Sequence, residues 1–203
     1  MVITRRYFCL SALAFGAHAQ KGGVGVRADF STWQSLGTGS WSAEDSELIG
    51  RCEKGKTGKG YLLTRDEFTD FRLNLLFWVS VGGSSGIYFR EPKRKWGTSE
   101  NDWPGQGQNC GYLVRIDYHD REYPTGSLCN LQKVKKIAGA EGQWNELEII
   151  CHGSEVRMAI GGQSINRFNQ LRVQSGVIGF ELPEKAPEGF TVRFRDVMLS
   201  PLA

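Results

Sequence analysis

The chain has 203 residues, with 25 basic and 22 acidic side chains, 26 glycines and a formal net charge of +3. So small and scattered a charge leaves no electrostatic footprint for nucleic acid or for an anionic membrane surface, and neither is an expected partner. The length suits one domain around a single core.

Residues 1–19 read as an export signal: Arg5 and Arg6, an apolar run from Tyr7 to Gly16, then the small-x-small site Ala17-His18-Ala19. Thr4-Arg5-Arg6-Tyr7-Phe8 with Leu10 fits the twin-arginine pattern, and an ordinary secretory signal is the alternative. Either route places the mature chain in the periplasm or outside the cell. The apolar run is too short for a permanent membrane anchor. Arg6-Tyr7-Phe8 before Cys9 is not a lipoprotein context, so no membrane association is expected after cleavage. Cleavage removes two of the 25 basic residues and none of the 22 acidic ones, leaving 184 residues with a net charge of +1. Residues 20–28 carry Gly22-Gly23-Val24-Gly25 with no helix behind it to hold a phosphate, and read as a flexible linker. Residues 29–203 then form a single β-sandwich domain.

No stretch of a dozen residues places apolar side chains at helical spacing, whereas short β-branched and aromatic runs recur between Gly, Asn and Asp. Strands are expected at 47–52, 60–64, 72–80, 86–90, 111–118, 146–151, 155–160, 176–181 and 191–199. In the third of these Leu73, Leu75, Phe77 and Val79 alternate strictly and share one face, with Leu76 and Trp78 on the other. His152-Gly153-Ser154 and Gly161-Gly162 read as hairpin turns. Many short strands with Gly-rich turns define an all-β sandwich or barrel. The segment 91–109, with Pro92, Trp96, Trp103 and Pro104, is a long loop of the kind that serves function. The segment 182–189, with Pro183 and Pro187, reads as a connector.

Cys52, Cys110, Cys129 and Cys151 remain after cleavage, and an even count in an exported chain favours disulfides. Cys110 and Cys129 stand nearly equidistant from a turn near Asp120 and are expected to pair across a hairpin, leaving Cys52 with Cys151. Buried free thiols are the alternative.

A ligand site on such a sandwich needs flat aromatic faces and planar polar groups. Trp96, Trp103, Tyr88, Tyr112 and Tyr118 are candidates for the first, and Arg90, Arg115, Asp117, Asn109 and Glu181 for the second. His119 follows Asp117 in a polar turn and joins the candidates, whereas His152 reads as surface. Trp33, Trp41 and Trp144 are assigned to packing. No nucleophile elbow, Walker loop, zinc-protease helix or EF-hand is present, so no cofactor is called for. A divalent cation held by loop carboxylates and carbonyls is compatible with such a sandwich, although the sequence shows no cage.

Gly60-Tyr61-Leu62-Leu63-Thr64, Asp70-Phe71-Arg72-Leu73, Ser85-Gly86-Ile87-Tyr88-Phe89-Arg90, Gly142-Gln143-Trp144-Asn145 and Phe194-Arg195-Asp196-Val197 occur in this order. Together they resemble the 3-keto-disaccharide hydrolase family. The resemblance runs from about Asp29 to Leu202 and implies a two-sheet antiparallel jelly roll of the concanavalin A-like lectin/glucanase fold. It also implies elimination chemistry on 3-keto-glycosides: a base removes the proton between ketone and anomeric centre, the glycosidic oxygen leaves, and water adds back. Such chemistry needs a base and a cationic group for the enolate.

The chain departs from the family pattern where polar residues are usual. Leu76 and Trp78 replace a Glu and an Arg, Ser84-Ser85-Gly86 replaces Asn-Ser-Gly, and Gly111-Tyr112-Leu113-Val114-Arg115 lacks the family Glu and Gln. Gly179-Phe180-Glu181 stands for Gly-Leu-Gln. Catalysis is then either lost or rebuilt from Asp117, Glu181 or His119, with Arg90 and Arg115 as anion stabilisers. Two readings follow: an exported 3-keto-glycoside lyase or hydrolase, and a non-catalytic carbohydrate-binding sandwich. Ionisable groups converging with Arg90 on one concave face would favour the enzyme.

Overall fold

Strict alternation in the sequence becomes strict alternation of burial. In the computed structural model Phe71, Leu73, Leu75, Phe77 and Val79 are buried, while Arg72, Asn74, Leu76 and Trp78 are half-buried on the other side of the same strand. The structure describes residues 26–52, 58–96, 103–106 and 109–202. The expected export signal and most of the Gly-rich linker lie outside the described residues, as does part of the long loop.

Thirteen strands occur among the described residues: β1 (Val26–Arg27), β2 (Gln34–Gly37), β3 (Ser40–Glu44), β4 (Glu47–Arg51), β5 (Gly60–Leu63), β6 (Phe71–Val79) and β7 (Ser84–Glu91), followed by β8 (Tyr112–Asp117), β9 (Asn145–His152), β10 (Glu155–Ile160), β11 (Gln163–Phe168), β12 (Val177–Leu182) and β13 (Thr191–Pro201). One short 3-10 turn, Phe30–Thr32, is capped by Asp29, whose carboxylate accepts from the Ser31 amide at 3.0 Å. The nine expected strands are all present. β1, β2, β3 and β11 are additional, and β1 starts the sandwich inside the expected linker by pairing Val26 with Leu199 and Arg27 with Met198.

Two antiparallel sheets face each other. The larger has eight strands, in the order β11-β10-β9-β6-β13-β4-β3 with β1 attached to β13, and the smaller runs β2-β5-β12-β7-β8. Their inner faces meet in one core. Trp33 stacks on Phe180 at 5.4 Å and Phe180 on Phe194 at 4.1 Å, so the first tryptophan is indeed a packing residue. Trp41 tilts against both phenylalanines. Each large apolar side chain buried here contributes about 1.5–3 kcal/mol.

The expected disulfides are absent: Cys52, Cys110, Cys129 and Cys151 are all free thiols. Cys151 pairs with Phe71 on β6, whereas Cys52 follows Arg51 at the end of β4, beyond the level of Val79. Three strand spacings, about 14 Å, separate them across the sheet, against a Cα limit near 7 Å for a bridge. The Cys129 amide donates to the Leu113 carbonyl at 2.9 Å, which sets Cys129 opposite Leu113 and not Cys110. Unfolding a chain that begins at Gln20, without reductant, is therefore expected to expose four titratable thiols. Cys151, whose pKa burial pushes up to about 12, should be unreactive at pH 8 before unfolding. A thiol count of two or zero would reinstate the bridges.

Candidate functional site

The outer face of the five-stranded sheet carries the site. Register places Leu36, Tyr61, Glu181, Gly86 and Arg115 in one row across β2, β5, β12, β7 and β8. Leu63, Gly179, Tyr88 and Leu113 form the next row on the same face. Gly86 is required between Glu181 and Arg115. A Cβ there would lie 2.4 Å from Leu113 Cδ1 and 3.3 Å from Glu181 Oε1.

Glu181 is 2 % exposed, and its Oε1 accepts from the Arg115 guanidinium at 3.2 Å. Its other oxygen, Oε2, and the Nε of Arg115 are both buried without a hydrogen-bond partner. A buried carboxylate oxygen and a buried guanidinium N–H without hydrogen bonds, on the strands to either side of Gly86, are costly to leave so and suited to a ligand that supplies a proton donor and an acceptor. Asp120 Oδ2 stands 3.9 Å from the same Nε. Burial and the Glu181 charge together push the hydroxyls of Tyr61 and Tyr88 far above the ordinary phenol range, so both are donors at neutral pH. The thiol of Cys129 is also raised by burial, with Arg115 beside it acting in the opposite sense.

Residues 91–96 and 103–106 of the long loop bring Trp96 and Trp103 against this face. Trp103 stacks on Tyr61 at 6.0 Å, and Gly105 lies so close to Tyr88 that a Cβ would fall 2.8 Å from its hydroxyl oxygen. Trp96 packs at the edge of the same cluster and receives the Arg94 guanidinium at 5.5 Å. Glu91, fully buried, anchors the loop: it accepts from the amides of Gly105 at 3.1 Å and Gly111 at 2.8 Å, and from Arg94 at 2.9 Å. Burial nevertheless leaves its pKa raised. Beside the loop a cavity of about 610 Å³ is bounded by Tyr88, Leu113 and Arg115 below and by Asn109, Cys129 and Arg172 at its sides.

Of the candidates named from sequence, Glu181, Arg115, Tyr88, Trp96, Trp103 and Asn109 gather here. Arg90 does not. A bulge where β7 crosses β12, with φ of +49° at Arg90, turns its side chain off the outer face into full burial. There it donates to Asp70 Oδ1 at 2.9 Å and to the carbonyls of Thr69, Gly153 and Val173 at 2.8, 2.7 and 3.2 Å, leaving no group for a ligand. Tyr112 points to the core side, and its hydroxyl accepts from the amides of Arg172 and Val173. Asp117 caps the following turn by accepting from the amides of His119 and Asp120 at 2.8 and 2.9 Å. His119 pairs with Glu141 at 2.9 Å in an exposed position, and with Tyr118 it lines a depression distinct from the cavity beside the loop. Among the described residues no group of three or more His, Cys, Asp or Glu side chains could hold a metal ion. Tyr61 and Glu91 are not among the residues the sequence singles out. Tyr61 shares the face of Glu181 only through strand register, which sequence does not print.

An antiparallel two-sheet sandwich with a polar, aromatic-covered outer sheet is the architecture of lectin-like domains. A glycosyl hydrolase candidate from Parabacteroides distasonis ATCC 8503 superposes with a TM-score of 0.60 at 17% identity, over 84% of this chain and 99% of that one. The carbohydrate-binding module CBM66 from Bacillus subtilis gives 0.58 at 14%, over 83% and 95%. A Bacillus subtilis protein with a galectin-like fold gives 0.60 at 15%, over 89% and 97%. At these identities the likeness is one of fold. No curated protein sequence matches the chain. The family is carried by the sequence itself: residues 25–200 match the 3-keto-alpha-glucoside-1,2-lyase-like domain, and the chain belongs to that family. Carbohydrate chemistry is thus its functional class.

Proposed function

We propose that the mature chain is exported and cleaves the glycosidic bond of 3-keto-glycosides on the outer face of the five-stranded sheet. The observation that carries this reading is the open pair, Glu181 Oε2 and Arg115 Nε, on one side of Gly86 and the other. Glu181 takes the proton from the carbon between ketone and anomeric centre. That C–H electron pair becomes the new double bond as the anomeric carbon–oxygen bond breaks, and the departing oxygen takes back the proton that Glu181 now carries, which restores the carboxylate. Arg115 holds the negative charge that builds on the ketone oxygen, a role its fixed planar donors suit. Water then adds across the double bond. Tyr88 and Tyr61, kept protonated, donate to ring oxygens, and Trp103 covers the face from bulk water.

The second reading, a non-catalytic carbohydrate-binding sandwich, is favoured by the 2 % exposure of Glu181 and by the burial of Arg90 away from this face, where the ionisable groups do not converge with it. A time course of glucose release from a 3-keto-disaccharide by purified mature protein, with and without chelator, separates the two. Release supports the enzyme, and the chelator arm reads whether a metal takes part. No release from folded protein that still binds the sugar supports the binding module. N-terminal sequencing that begins at Gln20 checks export and cleavage.

A further inference from the structure

The cavity beside Tyr88 is cationic. Lys59 immediately precedes β5, and Lys59, Arg115 and Arg172 all border the cavity. None of the described residues bordering it is Asp or Glu. Glu181 and Asp120 partly offset Arg115 from below. Among the described residues no carboxylate pairs with Lys59, which is half-buried, or with Arg172, whose backbone amide is engaged by Tyr112 while its side chain is exposed. In a chain whose overall charge is close to neutral, three cations around one concavity are a local departure. A cleft lined by one sign of charge concentrates the opposite sign of ligand.

We propose that this site selects anionic glycosides, sugars bearing a carboxylate or a sulfate ester, with Lys59 and Arg172 as specificity residues that do not touch the reacting atoms. The inference rests on the reading of the same face as the substrate site. Hydroxyl-rich neutral sugars need donors and acceptors in balance, whereas Lys and Arg supply donors only. The anionic group sits between Lys59 and Arg172, and the ring lies over Tyr88 toward Arg115.

Calorimetric titration of the mature protein with methyl α-glucoside, methyl α-glucuronide, glucose 6-sulfate and inorganic sulfate tests this without requiring turnover. The glucuronide or the sulfated sugar is expected to bind at least about tenfold more tightly than the glucoside at low salt, and the preference should shrink at high salt. The double variant K59Q/R172Q should lose the preference, binding the glucuronide and the glucoside with equal affinity at an unchanged thermal midpoint. Preference for the carboxylate over the sulfate ester, or the reverse, identifies which anion the site takes. Equal affinity for glucoside and both anionic sugars overturns the selectivity and leaves the substrate site standing. Sulfate binding as tight as that of the anionic sugars overturns it too, by marking a plain anion site. Failure of every sugar to bind overturns both the selectivity and the site.

Discussion

Replacing Glu181 with Gln is expected to lower turnover of a 3-keto-glycoside by about 100-fold or more, the usual worth of a positioned general base. The substitution is nearly isosteric and keeps an oxygen for the Arg115 guanidinium, which stands 3.2 Å from Oε1. The thermal midpoint should therefore move little, and the loss should appear in kcat more than in KM. Glu181 sits at the centre of the row Tyr61, Glu181, Gly86, Arg115, and neither of the other acids considered from sequence is placed to substitute for it. Asp117 spends its carboxylate on two turn amides, and His119 faces Glu141 at the surface. A Glu181→Gln enzyme with unchanged kcat would transfer the base to another residue.

Replacing Arg90 with Met is expected to cost about 3–5 kcal/mol of stability, measured by urea unfolding, because it breaks a buried ion pair and frees three carbonyls at once. Asp70 keeps 21% of its side chain in water and a second donor in the Gly153 amide, which places the effect toward the lower end. Lysine at position 90 should also destabilise, since one ammonium cannot span acceptors on the segments around residues 70, 153 and 173. Turnover per folded molecule should be unaffected. A folded Arg90→Met protein without activity would return Arg90 to the site.

These two residues also mark where sequence was and was not enough. Burial in β6 follows its alternating pattern position by position, because an antiparallel strand with one covered face leaves little freedom of register. The short early strands β2 and β3 carry no such pattern: Gln34–Gly37 and Ser40–Glu44 lie at sheet edges and are mostly half-buried or exposed. Glu181 and Arg115 were legible as candidates by residue type and family position. Their meeting across Gly86 depends on the pairing of β12, β7 and β8, which is a long-range property. Arg90 illustrates the opposite case. Counting by twos from Tyr88 puts Arg90 on the site face, and a bulge at positive φ reverses it. The cysteine pairing failed for a related reason, since distance from a turn fixes neither which residues face each other nor which sheet they occupy.

The most direct measurement follows the C2 proton of a 3-keto-glycoside by NMR in D₂O with the wild-type protein, beside a protein-free blank. Loss of the C2–H signal at a rate above the blank, with appearance of the released sugar, is the result expected from Glu181 acting as base with Arg115 holding the enolate. A C2–H signal that persists as in the blank, in the presence of folded protein that binds the sugar, would contradict it.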